Sequence, residues 1–302
     1  MQVPICEIDP WRTQYFESVP CPPDVFIPTE DSDGWLWNPA HRWVYDKLAV
    51  ALSQDLAAAP HGVAPQNYPV FSKPIYNLKG MGVGSRALFS PDDYASAYQP
   101  GHFWTTLLEG DHVSSDVALV DGEPQWWRHA TGVASGAGTF DSWEVHAMPS
   151  PAVEDWCGAW CRRHLKGYTG LLNLETIAGR IIECHLRMAE QWLDINGPGW
   201  LEAVVALYER GTWRWRDRDR RTGYSVVLFG AHGRHWRADR AAIAAELRRP
   251  GISSIQITFE EDKPPAEHAM PPGGFRLAII NCWDLDAGRR VRTRLKPLFS
   301  AA

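Results

Sequence analysis

Strand-like alternation of apolar and polar positions is clearest in residues 167–187, GYTGLLNLETIAGRIIECHLR. Two apolar or β-branched runs, residues 171–177 and 180–185, are separated by Ala178-Gly179. This pattern predicts two strands joined by a tight hairpin loop of about three residues. The hairpin is the most informative segment of the sequence, because its polar positions fall at matched places on the two strands.

Four side chains of this hairpin are candidates for chemistry. Because side chains alternate between the faces of a strand, Glu175 and Glu183 are predicted on one face, with His185 next to them and Arg187 directly after. Two converging carboxylates repel unless a cation lies between them, and their hard oxygen atoms suit Mg²⁺ that bridges phosphates. A half-polar hairpin with two solvated glutamates fits the same pattern, so both interpretations stay open here.

A strand and a glycine-rich loop precede the hairpin. NYPVFSKP, residues 67–74, predicts an apolar strand that delivers Lys73, and IYNLKGMGVGS, residues 75–85, alternates glycine with other residues. Backbone N–H groups of such a loop can surround a polyphosphate, to which Lys73 or Lys79 adds positive charge. The loop is neither a P-loop nor a dinucleotide fingerprint, because GxxxxGK[ST] and a βαβ context are absent. A glycine-rich hairpin tip without a ligand is the alternative.

The element pattern predicts an α+β protein. Residues 1–43 are rich in Pro and Asp and lack periodicity, which predicts an extended arm. Residues 206–302 read as β-α-β-β-α, which predicts a further α+β lobe. Its Pro- and charge-rich segment, residues 260–274, is interpreted as a surface loop in preference to a lid.

Composition is that of an ordinary enzyme. The chain has 302 residues, of which 45% are hydrophobic and 22% charged. A net charge of −6 and a pI near 6.0 argue against binding to nucleic acid or to an anionic membrane. The start shows no basic segment followed by an apolar run, and the six cysteines form no disulfide-like framework. These features predict a cytoplasmic protein.

Two other clusters are interpreted mainly as structural. Cys157, Cys161 and His164 share one face of a predicted helix without a zinc-finger spacing, so a buried helix face is favoured over a metal site. Trp126 and Trp127 follow a predicted strand, and a stacking platform for a sugar or base is the minor alternative to core packing.

The order of these motifs resembles that of the ATP-grasp enzymes. Asp46-Lys47-Leu48 looks like the DK that opens the small ATP-binding subdomain of biotin carboxylase, and YPVFSKP is similar to its YPVIIKA. LLEGDHVSSDVALVDGE resembles the family's hinge and ribose-contacting strand. GLLNLET followed by IIECHLR looks like GLMNVQF followed by IEVNPR in the large subunit of carbamoyl-phosphate synthetase. The resemblance covers roughly residues 44–190.

The resemblance implies an ATP-grasp fold, with two α+β lobes that clasp ATP. Residues 44–100 would be the small ATP-binding lobe and residues 101–205 the catalytic lobe. The resemblance assigns Lys47 and Lys73 to the phosphates, beneath the loop that contains Gly80 and Gly82. The remaining nucleotide contacts that it implies are Thr106, Leu107 and Leu108 beside adenine, and His112 beside the ribose.

For the metal, the resemblance implies Glu175 and Glu183, with His185 at the position of the usual Asn. Neutral imidazole is a poorer Mg²⁺ ligand than an amide oxygen, so either His185 supports the ligands from behind or the site prefers Mn²⁺. Arg187 and Lys73 would be catalytic: Arg187 would stabilise the acyl phosphate and its tetrahedral adduct, and Lys73 the charge on the β- and γ-phosphates. As an exposed ligand, Glu183 is expected to tolerate replacement by Ala with little loss of stability.

The expected activity is therefore that of an ADP-forming ligase, which activates a carboxylate as acyl phosphate and couples it to an amine. A small-molecule kinase on the same scaffold and a non-catalytic nucleotide-binding module are the alternatives. The expected partners are a small-molecule acid and amine, with ATP and Mg²⁺ or Mn²⁺. Residues 1–43 leave room only for a reduced N-terminal lobe, which is expected to mean either a small donor or a pocket completed by a partner chain or a homodimer mate.

Overall fold

The computed structural model describes residues 10–78, 80–136 and 138–301. Lys79, which the sequence offers as a phosphate-binding lysine, and Cys6 lie outside the described residues. In chain order the helices are α1 (Pro10–Thr13), α2 (Asp31–Trp37), α3 (Lys47–Leu52), α4 (Pro91–Ser96), α5 (Pro151–His164), α6 (Trp200–Arg210), α7 (Arg240–Glu246) and α8 (Leu285–Leu295). Short 3₁₀ turns are Arg42–Tyr45, Leu193–Asn196, Pro265–Glu267 and Lys296–Leu298.

The strands fall into three antiparallel groups. In chain order they are β1 (Ala58–Pro60), β2 (Val70–Pro74), β3 (Arg86–Leu88), β4 (His102–Thr106), β5 (His112–Val120), β6 (Glu123–Gly136), β7 (Thr139–Val145), β8 (Gly170–Ile177), β9 (Arg180–His185), β10 (Gly223–Gly230), β11 (Trp236–Ala238), β12 (Ile252–Ile257), β13 (Phe275–Cys282) and β14 (Phe299–Ala301). Strands β11 and β14 form a separate pair.

The small sheet has the order β1-β4-β2-β3. Val70 and Trp104 are buried with Leu88 against α4 on one face. Alternation along β2 sends Phe71 and Lys73 to the opposite face. The strand β4 belongs to this sheet, whereas the sequence boundary at residue 100 assigned it to the larger lobe. Its pairing with β2, from Val70–Thr106 to Pro74–His102, accounts for the difference.

The large sheet has the order β12-β13-β10-β7-β6-β5-β8-β9. Three strands of residues 206–302, namely β10, β12 and β13, thus belong to this sheet, although these residues also have a hydrophobic cluster of their own. The junction is the β7–β10 pair, in which Trp143 lies opposite Ser225. A contact between strands so distant in sequence leaves no trace in local periodicity, which explains why the sequence suggested a separate lobe.

Hydrophobic residues cover both faces of the large sheet. Val117 and Leu172 belong to a cluster with α5 and α3, while Ala118 and Leu171 belong to a second cluster with α6. These neighbours on β5 and β8 point to opposite faces, as strand alternation requires. Helices on both faces of the sheet thus pack against strand β8 of the β8–β9 hairpin.

The N-terminal segment is packed, not extended as the sequence suggested. Phe16, Val25 and Ile27 are buried in the same cluster as α6. Helix α2 also approaches the rest of the fold very closely, since a Cβ atom on Gly34 would lie 2.3 Å from the Tyr45 hydroxyl. This close packing brings Asp31, the first residue of α2, next to the end of β9. None of the described helices has the length and apolar character that a membrane crossing requires.

Candidate functional site

A cavity of about 870 Å³ lies between the small and large sheets. Its walls include residues of the glycine-rich loop, the segment after β4, the β8–β9 hairpin and the N-terminal segment. Apart from Lys79, which the structure does not describe, the predicted site residues line it, namely Lys47, Lys73, Gly80, Gly82, Thr106, Leu107, Leu108, His112, Glu175, Glu183, His185 and Arg187. The structure thus brings these residues together, while their individual roles stay predictions.

The hairpin places its carboxylates directly opposite each other. Glu175 on β8 pairs with Glu183 on β9, and Asn173 pairs with His185 further along the same face. The connecting loop has two residues, not about three, and both Ala178 and Gly179 have positive φ, at 50° and 73°. Two-residue turns of this kind match the twist of the flanking strands and fix the register.

A bulge in β9 provides the partner of Lys73. The register shifts between Glu175 and Thr176, so that Thr176 pairs with Ile181. This leaves Ile182 without an opposite residue. Lys73 Nζ donates to the Ile182 carbonyl at 2.7 Å. Burial lowers the pKa of Lys73 to about 8, and the charge of Lys47 acts in the same direction. The site therefore holds an ammonium group that gains from a nearby anion.

Lys47 reaches the hairpin from the small-lobe side. Asp46 caps helix α3 by accepting from the Ala49 N–H at 2.9 Å, which fixes Lys47 at the first helical position. Lys47 Nζ pairs with Glu183 Oε1 at 2.6 Å, and both side chains are largely buried. The ion pair compensates two charges that would otherwise be costly inside the cavity.

Glu175 has a histidine partner. His112 Nε2 lies 2.9 Å from Glu175 Oε2. Burial alone would raise the pKa of Glu175, but His112, with His185 and Lys47, lowers the pKa below its ordinary value. The predicted ribose contact, His112, is thus held against the candidate metal ligand Glu175 in this structure.

The far end of the hairpin is bound by Asp31. His185 Nδ1 lies 3.0 Å from both carboxylate oxygens of Asp31. Arg187 also contacts Asp31, with its Nε 3.0 Å from Oδ1. Burial would raise the pKa of Asp31, but Arg187 and His185 hold it well below its ordinary range. A carboxylate from the N-terminal segment therefore orients two of the predicted site residues.

Three loops meet at the cavity. A Cβ atom on Gly138, in the β6–β7 turn, would lie 2.5 Å from the Met81 carbonyl and 3.3 Å from Pro272. Gly138 also has a φ of +69°, which favours glycine. The glycine-rich loop, this turn and the proline-rich C-terminal loop thus meet over the site.

The segment after β4 forms the connection between the sheets. The Thr106 N–H donates to the Ala57 carbonyl at 3.0 Å, so Thr106 remains tied to the small sheet. Leu107 and Leu108 lie beyond the strand and line the cavity. Of the three residues predicted beside adenine, Leu107 and Leu108 therefore have their backbone outside the strand pairing of the small sheet.

Three solved structures share this architecture. A phosphoribosylamine–glycine ligase from Thermotoga maritima has a TM-score of 0.64 at 14% identity, over 95% of this chain and 85% of that one. An L-amino acid ligase from Bacillus licheniformis has a TM-score of 0.61 at 10% identity, over 85% and 70%. A carboxyaminoimidazole ribonucleotide synthase from Aspergillus clavatus, complexed with ATP, has a TM-score of 0.59 at 12% identity, over 84% and 74%.

Comparison of the sequence alone with known families and proteins does not identify the fold. No protein-family model matches the chain. No curated protein matches it significantly in sequence. The shared fold with these neighbours decides the matter. The chain has the ATP-grasp fold. The α+β class and the resemblance drawn from motif order are both confirmed.

The donor set on the ATP-grasp hairpin fits a divalent ion. Glu175, Glu183 and His185 each offer one ligand atom, and these atoms all lie within 4.8 Å of one another. Within the described ranges, this is the one group of at least three His, Cys, Asp or Glu side chains with such spacing. Two carboxylate oxygens and one imidazole nitrogen can share a Mg²⁺ or Mn²⁺ ion.

Sequence reasoning missed the contribution of the N-terminal segment. Arg12, Glu30 and Asp31 line the cavity together with Glu190. Arg12 forms ion pairs with both Glu30 and Glu190. Their signal was weak, because the segment contains no long amphipathic pattern and its partners lie more than 100 residues away.

The proline-rich C-terminal loop was also undervalued. It was interpreted as a surface loop, yet Lys263, Glu267, His268 and Met270 line the cavity. Its length and its charged residues were the available signal, since long loops in compact domains are often functional.

The other two clusters lie outside the site. Cys157 and Cys161 are buried in the core, and burial raises the pKa of both thiols. Trp126 is 7% exposed and packs beside Trp200, with ring centroids 5.7 Å apart. The stacking-platform alternative for Trp126 is therefore wrong, and core packing explains it.

Proposed function

We propose that this protein is an ATP-dependent, ADP-forming ligase that activates a small-molecule carboxylate and couples it to an amine. The observation that carries the proposal is the convergence of Lys47 and Lys73 with Glu175 and Glu183 in one cavity between two sheets. The ATP complex of the synthase with the same fold supports ATP as the nucleotide. The named ligases among its structural neighbours support the reaction class.

The two lysines would hold the phosphates. Lys73 is buried with a lowered pKa, so a phosphate oxygen beside it would stabilise its charged form. Lys47 is already paired with Glu183 and would exchange part of that contact for phosphate. The glycine-rich loop with Gly80 and Gly82 would supply N–H groups from above.

Glu175, Glu183 and His185 would hold the divalent ion. When bound there, such an ion neutralises charge on the terminal phosphates of ATP. Glu175 keeps its negative charge at neutral pH because His112 and other cations lower its pKa. This chain thus provides negative charge for the ion and positive charge for the phosphates within one cavity.

Arg187 would position the acid. Its guanidinium is oriented by Asp31 and by a hydrogen bond to the Met188 carbonyl at 3.1 Å. A planar guanidinium matches a carboxylate or an acyl phosphate by two parallel hydrogen bonds. The neighbouring Arg12, Glu30 and Glu190 provide charges of both signs for the acid and the amine.

Replacing Arg187 by Lys should lower kcat by about 10- to 100-fold, because a point charge loses the bidentate geometry that stabilises the transition state. The dissociation constant of ADP should stay within about twofold, since on this proposal Arg187 would contact the acid and not the phosphates of ADP. Steady-state kinetics and calorimetric ADP titration measure both quantities. Equal losses in ADP affinity and kcat would place Arg187 at the nucleotide instead.

The reaction class is tested by product analysis. The protein is incubated with ATP, Mg²⁺ and a panel of acids and amines, and ADP, AMP and the organic products are measured. We expect ADP and phosphate only when both a suitable acid and a suitable amine are present, with an amide in the mass spectrum. A phosphate ester without an amide would identify a kinase. ATP binding without turnover over a broad panel would favour a nucleotide-binding module, and AMP would exclude the proposed mechanism.

A further inference from the structure

His185 is buried but keeps one ring nitrogen free of hydrogen bonds. Its side chain is 5% exposed, and its Nδ1 contacts both oxygens of Asp31. Within the part of the chain that the structure describes, His185 Nε2 has no hydrogen-bond partner. A buried ring nitrogen without a partner is costly, so its place in the fold calls for a ligand.

Asp31 determines where the ring proton lies. A carboxylate only accepts hydrogen bonds, so two carboxylate oxygens at 3.0 Å require the proton on Nδ1. Arg187 Nη2 also approaches Nδ1, but at the longer distance of 3.4 Å, and Arg187 Nε already donates to Asp31. When the ring carries only this proton, its lone pair is at Nε2.

That lone pair faces both glutamates of the hairpin. His185 Nε2 lies 3.8 Å from Glu175 Oε1 and 3.6 Å from Glu183 Oε2. Both separations exceed a hydrogen bond. Neighbouring ligands of one octahedral ion lie about 3 Å apart when each metal–ligand distance is about 2.1 Å. A small movement of the side chains would let all three atoms bind the same ion.

A doubly protonated ring explains the geometry less well. An imidazolium N–H beside a carboxylate forms a charge-assisted hydrogen bond of about 2.8 Å. Nε2 lies at such a distance from neither Glu175 nor Glu183, although both carboxylates are close. A ring nitrogen that lies between two carboxylates, without a hydrogen bond to either, fits a metal ligand.

We propose that Asp31 holds His185 as a nitrogen ligand, and that this dyad makes the site select a transition-metal ion such as Mn²⁺ over Mg²⁺. Mg²⁺ prefers oxygen ligands, whereas imidazole nitrogen suits transition metals. Histidine ligands usually donate their other ring N–H to a carboxylate, and that partner fixes the ring. Asp31 is the positioning residue and His185 the selective ligand. The proposal deepens the proposed function, because it concerns the same metal site. Its evidence comes only from the β8–β9 hairpin and Asp31.

The test is pulsed electron paramagnetic resonance of Mn²⁺ bound to the protein, measured with and without ADP. We expect a nitrogen-14 coupling typical of a directly bound imidazole. The coupling should vanish in His185→Asn and persist in His112→Asn, which removes the other imidazole near Glu175. A wild-type spectrum without the coupling, or a coupling that follows His112, would overturn the proposal.

Metal titrations test the selectivity. The ratio of the Mg²⁺ to the Mn²⁺ dissociation constant should fall by about tenfold or more in His185→Asn, because an amide oxygen replaces the nitrogen. Asp31→Asn keeps the shape of the side chain and should weaken Mn²⁺ binding by about 10- to 100-fold while the nitrogen coupling remains. Asp33→Asn, on the same helix, should leave both values unchanged. An unaltered ratio in His185→Asn would contradict the selectivity.

These outcomes are independent of the ligase assignment. Mn²⁺ binding through oxygen ligands only would refute the Asp31–His185 dyad and leave ADP binding and amide formation untouched. A clear nitrogen coupling in a protein that binds no ADP would support the dyad and refute the ligase. Each proposal can therefore fail without the other.

Discussion

Glu183→Gln should lower kcat by about 100- to 1,000-fold, the loss typical when one charged group is removed from a preorganised site. The amide keeps the size of the side chain but loses the charge that faces Lys47 and would face the divalent ion. Without that charge, the positive charges of Lys47 and the ion beside the phosphates would lose the carboxylate that offsets them. Steady-state kinetics on the acid and amine pair found by product analysis measure the effect.

The stability cost of changing Glu183 is larger than its sequence context suggests. Glu183 is not an exposed ligand, because its side chain is 15% exposed and pairs with the buried Lys47. Ala at this position would leave Lys47 without its carboxylate, which is costly for a buried charge. Gln retains an acceptor for Lys47 and reduces repulsion with Glu175, so its unfolding midpoint should change little.

A matched control separates the two effects. Glu202→Gln, on the exposed side of helix α6, should leave kcat and the unfolding midpoint unchanged. If Glu183→Gln unfolds, or if it keeps full activity while folded, the hairpin carboxylate has a structural role and the proposed site is wrong.

The hairpin was predictable because its information is local. Strand alternation puts Glu175, Glu183 and His185 on one face, and Ala178-Gly179 supplies the turn. Only the loop length differed, by about one residue. The bulge at Ile182 was not foreseeable, since a bulge depends on how the two strands pair and not on either strand alone.

The partners of the hairpin were less predictable because they come from distant segments. Asp31 precedes His185 by 154 residues, and the contact depends on the close packing of Gly34 against Tyr45. The N-terminal segment has short helices whose buried residues follow no long period. Local patterns therefore suggested an extended arm, although Phe16 and Ile27 lie in the core.

Lys73 was predicted from the strand that carries it, yet its electrostatic state depended on burial that the sequence does not show. The same holds for the C-terminal strands, whose addition to the large sheet through β7 and β10 is a long-range pairing. Motif order identified the fold, because it samples several local segments at once. Other walls of the cavity, from the N-terminal segment and the proline-rich C-terminal loop, come from segments without such motifs.

Lys73→Met should weaken ADP binding by about 10- to 100-fold, as expected for loss of a hydrogen bond from a charged donor. It should also leave the protein as stable as before, or more stable, because a buried ammonium is replaced by an apolar side chain of similar length. Lys166→Met, at an exposed position, serves as the control. Calorimetric titration and denaturant unfolding measure both effects, and their opposite directions distinguish a binding lysine from a structural one.

The pH dependence provides a second signature of Lys73. Burial lowers its pKa to about 8, Lys47 adds to that effect, and Glu183 and Glu175 oppose it. ADP affinity should therefore be complete below pH 8 and fall towards tenfold per pH unit above it. Folding stability should change in the opposite direction. Between pH 8 and about 10.4 the unfolded chain binds more protons at this lysine than the native protein does, so stability rises with pH.

Both slopes are measured as differences between wild type and Lys73→Met, which cancels the other titrating groups. ADP titrations from pH 7 to 9.5 should show the fall only in the wild type, with proton uptake on binding in buffers of different ionisation enthalpy. Denaturant unfolding over the same range should show the rise only in the wild type. Parallel curves for the two proteins would mean that Lys73 does not change its charge when nucleotide binds, and that another group holds the phosphates.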